Sequence, residues 1–86
     1  MKIILDGKKI DSVDTFHNEI EKISSIDGYG RNLDALFDAL TEMRDISVEI
    51  KNPDALREHL GNYADSIIAV FEDAAEDNEF LTVEFE

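Results

Sequence analysis

The sequence predicts an α/β fold in which about four helices flank a three-stranded, mainly parallel sheet. Three short apolar runs are separated by segments of helical period, and those segments are long enough to serve as crossovers. Crossovers of this length favour parallel pairing of the strands that they connect. With 86 residues, of which 43% are hydrophobic, the chain can build one core but not two. We therefore expect a single domain over residues 1–86.

Three segments have the pattern of strands. The first, Lys2–Asp6, is a short apolar run rich in isoleucine and followed by a glycine. In the second, Ile46, Val48 and Ile50 alternate with polar residues, which is the period of a half-buried strand. The apolar segment Phe80–Phe85 predicts the third strand.

Four segments are predicted to be helices, three of them because apolar residues recur every three or four positions. The first begins after Asp11 or Ser12, either of which can cap it. The glycine-containing segment SSIDGYG then predicts a loop, and the second helix spans about Asn32–Met43. The apolar positions are Val13, Phe16, Ile20 and Ile23 in the first helix and Leu33, Leu36, Phe37 and Leu40 in the second.

Two more helices are predicted in the second half of the sequence. Pro53–Leu60 is a short helix, for which Asn52 is the expected N-cap and Gly61 the expected end. The last helix runs from about Tyr63 to Asp77. Its apolar stripe contains Ala64, Ile67, Ile68, Phe71 and Ala75, widened by Val70 and Ala74.

The composition excludes several functions. The formal charge of −13 would repel nucleic-acid phosphates and acidic membrane surfaces, so we expect neither as a partner. No apolar run approaches the ~20 residues that span a bilayer. The chain has no cysteine and no signal-peptide pattern, which suits a reducing compartment and makes the cytoplasm the expected location.

The acidity is concentrated where local helix energetics disfavour it. Residues 58–86 contain nine acidic residues and no Lys or Arg. In the last helix, Glu72 and Glu76, and likewise Asp73 and Asp77, form like-charged i,i+4 pairs near a helix C-terminus, where the backbone dipole favours cations. In the second helix, Asp34 and Asp38 share one face, one turn apart. An acidic face can serve solubility alone, but two such faces favour a strongly basic partner.

The residues that catalysis would require are largely missing. There is no nucleophilic cysteine and no G-x-S-x-G elbow, and His17 and His59 lie in separate helical segments as expected surface or boundary residues. The acidic segment Asp73–Glu79 does not have the spacing of a calcium loop. We therefore predict a protein that is not an enzyme and has no metal and no cofactor.

The segment YGRNLDALFDALT, residues 29–41, closely resembles the barstar family of intracellular inhibitors of barnase-like extracellular ribonucleases. The opening KIILDGKKI, the segment SIIAVFEDA of the last helix and the apolar final strand resemble the family in the same order. The resemblance implies a three-stranded parallel sheet flanked by helices. It also implies an inhibitor that is monomeric when free and plugs the active site of a basic ribonuclease with its second helix and the preceding loop.

The resemblance also implies the partner-binding residues. Asp38 matches the family aspartate that occupies the phosphate pocket of the nuclease. The full implied set is Tyr29, Gly30, Asn32, Leu33, Asp34, Phe37, Asp38, Thr41 and Glu42 around the second helix, with Asp73 and Asp77 in the last helix.

Several positions depart from the family pattern. Gly28 replaces a tyrosine, Arg31 replaces a glutamate, Phe37 replaces a tryptophan, and Glu42 and Met43 replace a Gly-Trp pair. These differences keep the acidic plug but alter the aromatic and rim contacts, so the identity of the nuclease stays open.

Two alternatives use other features of the sequence. A nucleic-acid mimic directed at another basic protein would use the same acidity. A carrier protein modified with phosphopantetheine would use Ser66 in the segment ADSI, although strands at both ends of the sequence and the short segment after Ser66 argue against it.

Overall fold

A computed structural model describes residues 2–24 and 29–86, without the side chains of residues 23 and 24. Its three strands are β1 (Lys2–Asp6), β2 (Ile46–Lys51) and β3 (Leu81–Phe85), arranged in the order β1-β2-β3. Both neighbouring pairs are parallel, with Ile3 opposite Val48 and Val48 opposite Val83. The predicted α/β fold with a three-stranded parallel sheet is thus confirmed.

Four helices connect the strands in the described part of the chain. They are α1 (Val13–Ser24), α2 (Leu33–Glu42), α3 (Pro53–Leu60) and α4 (Asn62–Asp77). The element order agrees with the sequence prediction, and the bounds differ by one residue at several ends. Asn32 and Met43, for example, are the caps of α2 rather than its first and last residues.

One hydrophobic core lies between the sheet and the helices. Alternate strand residues, including Leu5, Val48, Ile50 and Leu81, meet buried side chains from the helices. The helix residues fully enclosed in it are Phe16, Leu36, Ala64, Ile67, Phe71 and Ala74. This core fixes α2 and α4 relative to the sheet, and the two helices also pack directly against each other.

Two close contacts join the elements at one end of β1. A β-carbon at Gly7 would lie 2.8 Å from the backbone nitrogen of Leu56 in α3 and would also collide with the carbonyl of Asn52. The strand can therefore approach α3 only with glycine at this position. Nearby, the exposed His59 donates from Nδ1 to the carbonyl oxygen of Ile10, over 2.9 Å.

The caps are confirmed for α1 and corrected for α3. Ser12 caps α1, since its hydroxyl accepts the backbone N–H of Thr15. Asn52 occupies the N-cap position of α3 but makes no side-chain cap. Its side chain instead donates to Asp6 at the end of β1, over 2.8 Å, while its backbone is left-handed with φ +54°. A capping residue ordinarily has an extended backbone, so the left-handed conformation of Asn52 accounts for the missing side-chain cap.

The remaining sequence predictions concern membrane spans and the loop before α2. Among the described residues, no helix is both long and apolar enough to cross a bilayer. The side chain of Ile23 and the loop residues 25–28, including Gly28, lie outside the described residues.

A candidate protein-binding surface on α2 and α4

The exposed side of α2 presents two acidic side chains one turn apart. Leu36, Ala39 and Leu40 are buried on the core side of the helix, which leaves Asp34 and Asp38 facing solvent. Within residues 2–24 and 29–86, neither carboxylate forms an ion pair or accepts a hydrogen bond. Their acceptor oxygens are therefore available to a partner.

The N-terminal end of α2 is held by Asn32. The Asn32 side-chain oxygen accepts the backbone N–H of Ala35 at 2.8 Å, and its amide nitrogen donates to the carbonyl of Gly30 at 3.3 Å. A β-carbon at Gly30 would lie only 3.2 Å from that of Ala35, so the loop approaches the helix closely. Leu33, the first helical residue, is half-buried against the core.

Tyr29 anchors the same loop to the body of the protein. Its hydroxyl lies 2.7 Å from Nδ1 of His17 in α1, and Nε2 of that histidine lies 2.9 Å from the hydroxyl of Tyr63 in α4. Burial raises the pKa of Tyr29 to about 12, so this phenol stays protonated. The neutral imidazole accepts from one tyrosine and donates to the other.

His17 is consequently not the surface or boundary residue that the sequence predicts. It is only 2% exposed and packs its ring edge-on against Phe16. Burial, followed by the nearby Arg31 cation, lowers the pKa of His17 from its ordinary value. The reason for the wrong prediction is tertiary, since the two tyrosines that satisfy the imidazole come from other elements.

Arg31 ties the loop to α1 by charge. One guanidinium nitrogen lies 2.6 Å from a carboxylate oxygen of Glu21, and the other lies 2.6 Å from a carboxylate oxygen of Asp14. The second nitrogen also donates to the Asp14 backbone carbonyl at 3.3 Å. The backbone of Arg31 is left-handed, with φ +54°, a conformation that disfavours residues with a β-carbon.

The C-terminal end of α2 is held by Asn78, the residue that follows α4. The Asn78 amide nitrogen donates to the carbonyls of Leu40 and Met43, at 2.9 and 2.7 Å. Its side-chain oxygen accepts the backbone N–H of Phe80 at 3.0 Å. Because Asn78 is only 7% exposed, it satisfies helix-terminal carbonyls that water reaches poorly.

An open cleft of about 640 Å³ separates the C-terminal ends of α2 and α4. The predicted residues Thr41, Glu42 and Asp77 all line it. Arg44 and Phe80 also line the cleft, where the Arg44 guanidinium lies 4.5 Å from the centre of the Phe80 ring, a cation–π distance. The remaining lining residues are Met43, Glu76, Asn78 and Glu79.

The acidic face of α4 is exposed as the sequence predicts. Glu72, Asp73, Glu76 and Asp77 are all exposed, while Phe71 and Ala74 are buried on the opposite side. The last turn of the helix contains no basic residue. Within the described residues, none of these four carboxylates forms an ion pair, and no group of three or more acidic or histidine side chains could hold a metal ion.

The structure thus joins some of the predicted site residues and separates others. Thr41, Glu42 and Asp77 share the cleft, whereas Asp34 and Asp38 lie on the exposed side of α2 and Asp73 lies on α4. Phe37 is half-buried against the core, and so presents only part of its ring to solvent.

Three supporting residues were not predicted from the sequence: His17, Arg31 and Asn78. Of these, only Arg31 is recognisable from the sequence, because a cation is unexpected so close to the acidic residues Asp34 and Asp38. The roles of His17 and Asn78 depend on contacts 12 to 46 positions away, which no local pattern contains.

Comparison with known proteins assigns a family to this arrangement. A family model described as Barstar (barnase inhibitor) matches residues 1–86. The chain is also 38% identical over 79 residues to the "Putative ribonuclease inhibitor YrdF" of Bacillus subtilis (strain 168), covering 88% of this chain and 87% of that protein. Barstar proteins are inhibitors rather than enzymes, which confirms the non-enzymatic prediction. The predicted resemblance is thus confirmed over the full sequence, and the chain belongs to the barstar family.

Proposed function

We propose that this protein inhibits a basic, barnase-like extracellular ribonuclease by occupying its active site stoichiometrically, without a chemical step. The observation that carries the proposal is the exposed pair Asp34 and Asp38, which lack ion-pair partners in the described chain and stand on a helix fixed at both ends. Family membership supports the inhibitory role.

In this proposal, Asp38 mimics an RNA phosphate. A carboxylate offers two acceptor oxygens that match the bidentate geometry of arginine, the residue type that commonly binds phosphate. Because Asn32 and Asn78 hold α2 in place, little conformational freedom is lost when a partner binds. Thr41, Glu42, Asp73 and Asp77 would extend the contact along α2 and onto α4.

The test is a titration of a barnase-type ribonuclease with this protein, followed by cleavage of a fluorogenic RNA. Hydrolysis should cease at one inhibitor per enzyme. Both Asp38→Ala and the shape-preserving Asp38→Asn should weaken binding by about 3–5 kcal/mol, because each leaves the enzyme's buried cations without a partner. Faster dissociation should account for most of that loss.

Glu58→Ala is the matched control, since it removes one exposed acidic charge from α3 rather than from α2. Its effect on binding should stay within about 0.5 kcal/mol, as for an ordinary surface substitution. If Asp38→Ala binds as tightly as the parent protein, the phosphate-mimic role is wrong. Inhibition confined to a DNA-binding protein, with no effect on RNA hydrolysis, would favour the nucleic-acid mimic instead.

The carrier-protein alternative receives no support from the fold. Ser66 lies within α4, where its hydroxyl donates to the backbone carbonyl of Asn62 at 3.4 Å. Membership of the barstar family favours the inhibitor over a carrier.

A further inference from the structure

We propose that Arg31 is a positioning residue, which preorganises the loop ahead of α2 for binding by clasping it to α1 through Asp14 and Glu21. This inference rests on the proposed function, and it concerns how the binding surface is held rather than which residue enters the active site. The clasp is defined as these three side chains.

In the clasp, Arg31 forms an ion pair with each of two carboxylates on α1. Each of the two terminal guanidinium nitrogens lies 2.6 Å from a different carboxylate, one at either end of a two-turn stretch of α1. The side chain of Arg31 is only one-third exposed, whereas that of Asp14 is 81% exposed. Arg31 therefore turns back onto α1 instead of extending towards solvent.

The clasp acts directly next to the predicted binding residues. Arg31 lies between Gly30 and the helix cap Asn32, and its left-handed backbone sets the direction in which the chain enters α2. That conformation is disfavoured for arginine, so the loop needs an outside restraint to hold it. The two ion pairs with α1 supply that restraint.

The charges of the clasp also suit a basic partner. An unpaired cation at position 31 would repel a basic nuclease next to Asp34. Asp14 and Glu21 more than neutralise the guanidinium, so the clasp as a whole remains negative. A positioning role therefore does not conflict with the electrostatic attraction on which binding depends.

The first test compares Arg31→Gln and Arg31→Lys for binding to a barnase-type ribonuclease. Arg31→Gln makes the surface more negative, which by long-range attraction alone would strengthen binding to a basic enzyme. We expect the opposite, a weakening of about tenfold, because the loop must then be ordered during binding. Arg31→Lys, which keeps the charge but cannot bridge two carboxylates equally, should also weaken binding.

Arg57 provides a matched control in the same chain. It is also paired with two carboxylates, Asp65 at 3.0 Å and Asp54 at 3.3 Å, but it lies on α3. Arg57→Gln therefore reports the effect of the charge change alone, and should leave binding unchanged or slightly stronger. Equal affinities of Arg31→Gln and Arg57→Gln would overturn the proposal.

A second comparison separates positioning from direct contact with the partner. In a background of Asp14→Asn and Glu21→Gln, Arg31 is an unpaired cation facing a basic enzyme, so Arg31→Gln should there strengthen binding. The sign of its effect is thus expected to reverse between the two backgrounds. Weakening in both backgrounds would show that Arg31 contacts the enzyme itself, and would contradict the positioning role.

Amide hydrogen exchange in the free protein tests the clasp without any nuclease. The backbone amides of Ala35 and Leu36, which donate to Asn32 at the start of α2, should exchange faster in Arg31→Gln than in the parent, while Arg57→Gln should not change them. Unchanged exchange at these residues would refute the clasp. If exchange responds as expected but Asp38→Ala does not weaken binding, the proposed function fails while the clasp stands.

Discussion

At the scale of single residues, two asparagines hold α2, the helix proposed to bind the nuclease, from opposite ends. Asn32 accepts a backbone N–H at the start of α2. Asn78, which follows α4, donates to two carbonyls at the C-terminal end of α2. The two groups differ in burial, since Asn32 is exposed and Asn78 is buried. Buried polar groups are more costly to leave without partners, so the two asparagines should differ in their effect on stability.

We predict that Asn78→Ala lowers the free energy of unfolding by about 2–4 kcal/mol, because it removes hydrogen bonds and leaves buried carbonyls unsatisfied. Asn32→Ala, which removes an exposed cap, should cost about 1 kcal/mol. Urea denaturation of both variants measures the difference. Equal losses would show that water replaces the Asn78 side chain as easily as it replaces a surface cap.

A second residue-scale prediction concerns pH. Because burial lowers the pKa of His17 in the folded protein, the unfolded chain binds the proton more readily. The stability that His17 contributes is therefore complete above its ordinary pKa of 6.5 and is lost progressively as the pH falls below that value. The loss cannot exceed about 1.4 kcal/mol per pH unit for one proton.

His17→Phe removes this titration. Because the substitution also changes the stability itself, we compare the slopes of the free energy of unfolding against pH rather than its absolute values. Urea denaturation between about pH 5 and 8 should give a steeper decline on acidification for the parent than for the variant. Parallel profiles would contradict the role of the buried imidazole. Tyr29 gains no charge over this range, since its pKa is about 12, and cannot produce the difference.

Residue-scale features were the least predictable from the sequence. The cap of α1 by Ser12 follows from a local rule, and it is confirmed. The same rule gave a wrong side-chain role for Asn52, because its backbone is left-handed and its amide nitrogen donates to Asp6 in another element. The partners of His17 and Asn78 likewise come from distant parts of the chain, so only the fold reveals them.

At the scale of elements, the sequence was far more informative. A period of two residues or a short apolar run identifies the three strands of the described chain. The 3.6-residue period identifies its helices except α3, which was predicted from the capping signals at Pro53 and Gly61. These patterns arise because each element buries one face in a single core. The remaining errors are at the ends, where capping replaces helical hydrogen bonding. For example, α3 ends at Leu60 with Gly61 as its C-cap, as predicted, whereas α4 begins at Asn62, one residue earlier than predicted.

The acidic face of α4 leads to an element-scale prediction about stability. Asp73 and Asp77 repel each other at i,i+4 and stand near the negative end of the helix dipole. The double substitution Asp73→Asn and Asp77→Asn should therefore raise the free energy of unfolding by about 0.5–1 kcal/mol. Asp65→Asn provides the opposite control, since Asp65 lies in the first turn and pairs with Arg57.

Urea denaturation again provides the measurement. A gain for the α4 pair and a loss for Asp65→Asn would show that the C-terminal carboxylates are kept at a cost to stability, as expected for residues selected for binding. If the double variant is less stable than the parent, the prediction is wrong, and these carboxylates stabilise the fold through contacts other than those described.

At the scale of the whole molecule, the net charge of −13 is distributed unevenly. The bases in the first two-thirds of the chain are largely committed to ion pairs, as with Arg31, Arg57 and Lys2. The carboxylates of α2, and those of α4 from Glu72 to Asp77, have no such partners within the described residues. The molecule should therefore present a negative field at the exposed faces of α2 and α4, where the proposal places a basic enzyme.

This field predicts how the rate of association responds to salt and to charge removal. With a barnase-type ribonuclease, the association rate should fall as ionic strength rises, because screening shortens the reach of the field to about 10 Å at 0.1 M. Neutralising Asp73 and Asp77, or alternatively Glu72 and Glu76, removes the same charge from the same helix. Both double variants should slow association to a similar degree, within about tenfold.

Dissociation should distinguish the two pairs. Asp73 and Asp77 are proposed to touch the enzyme, so their neutralisation should also speed dissociation, whereas neutralising Glu72 and Glu76 should leave the dissociation rate unchanged. Stopped-flow fluorescence at several salt concentrations measures both rates. Equal dissociation rates for the two variants would mean that α4 attracts the enzyme without contacting it, which would confine the binding surface to α2 and the loop before it.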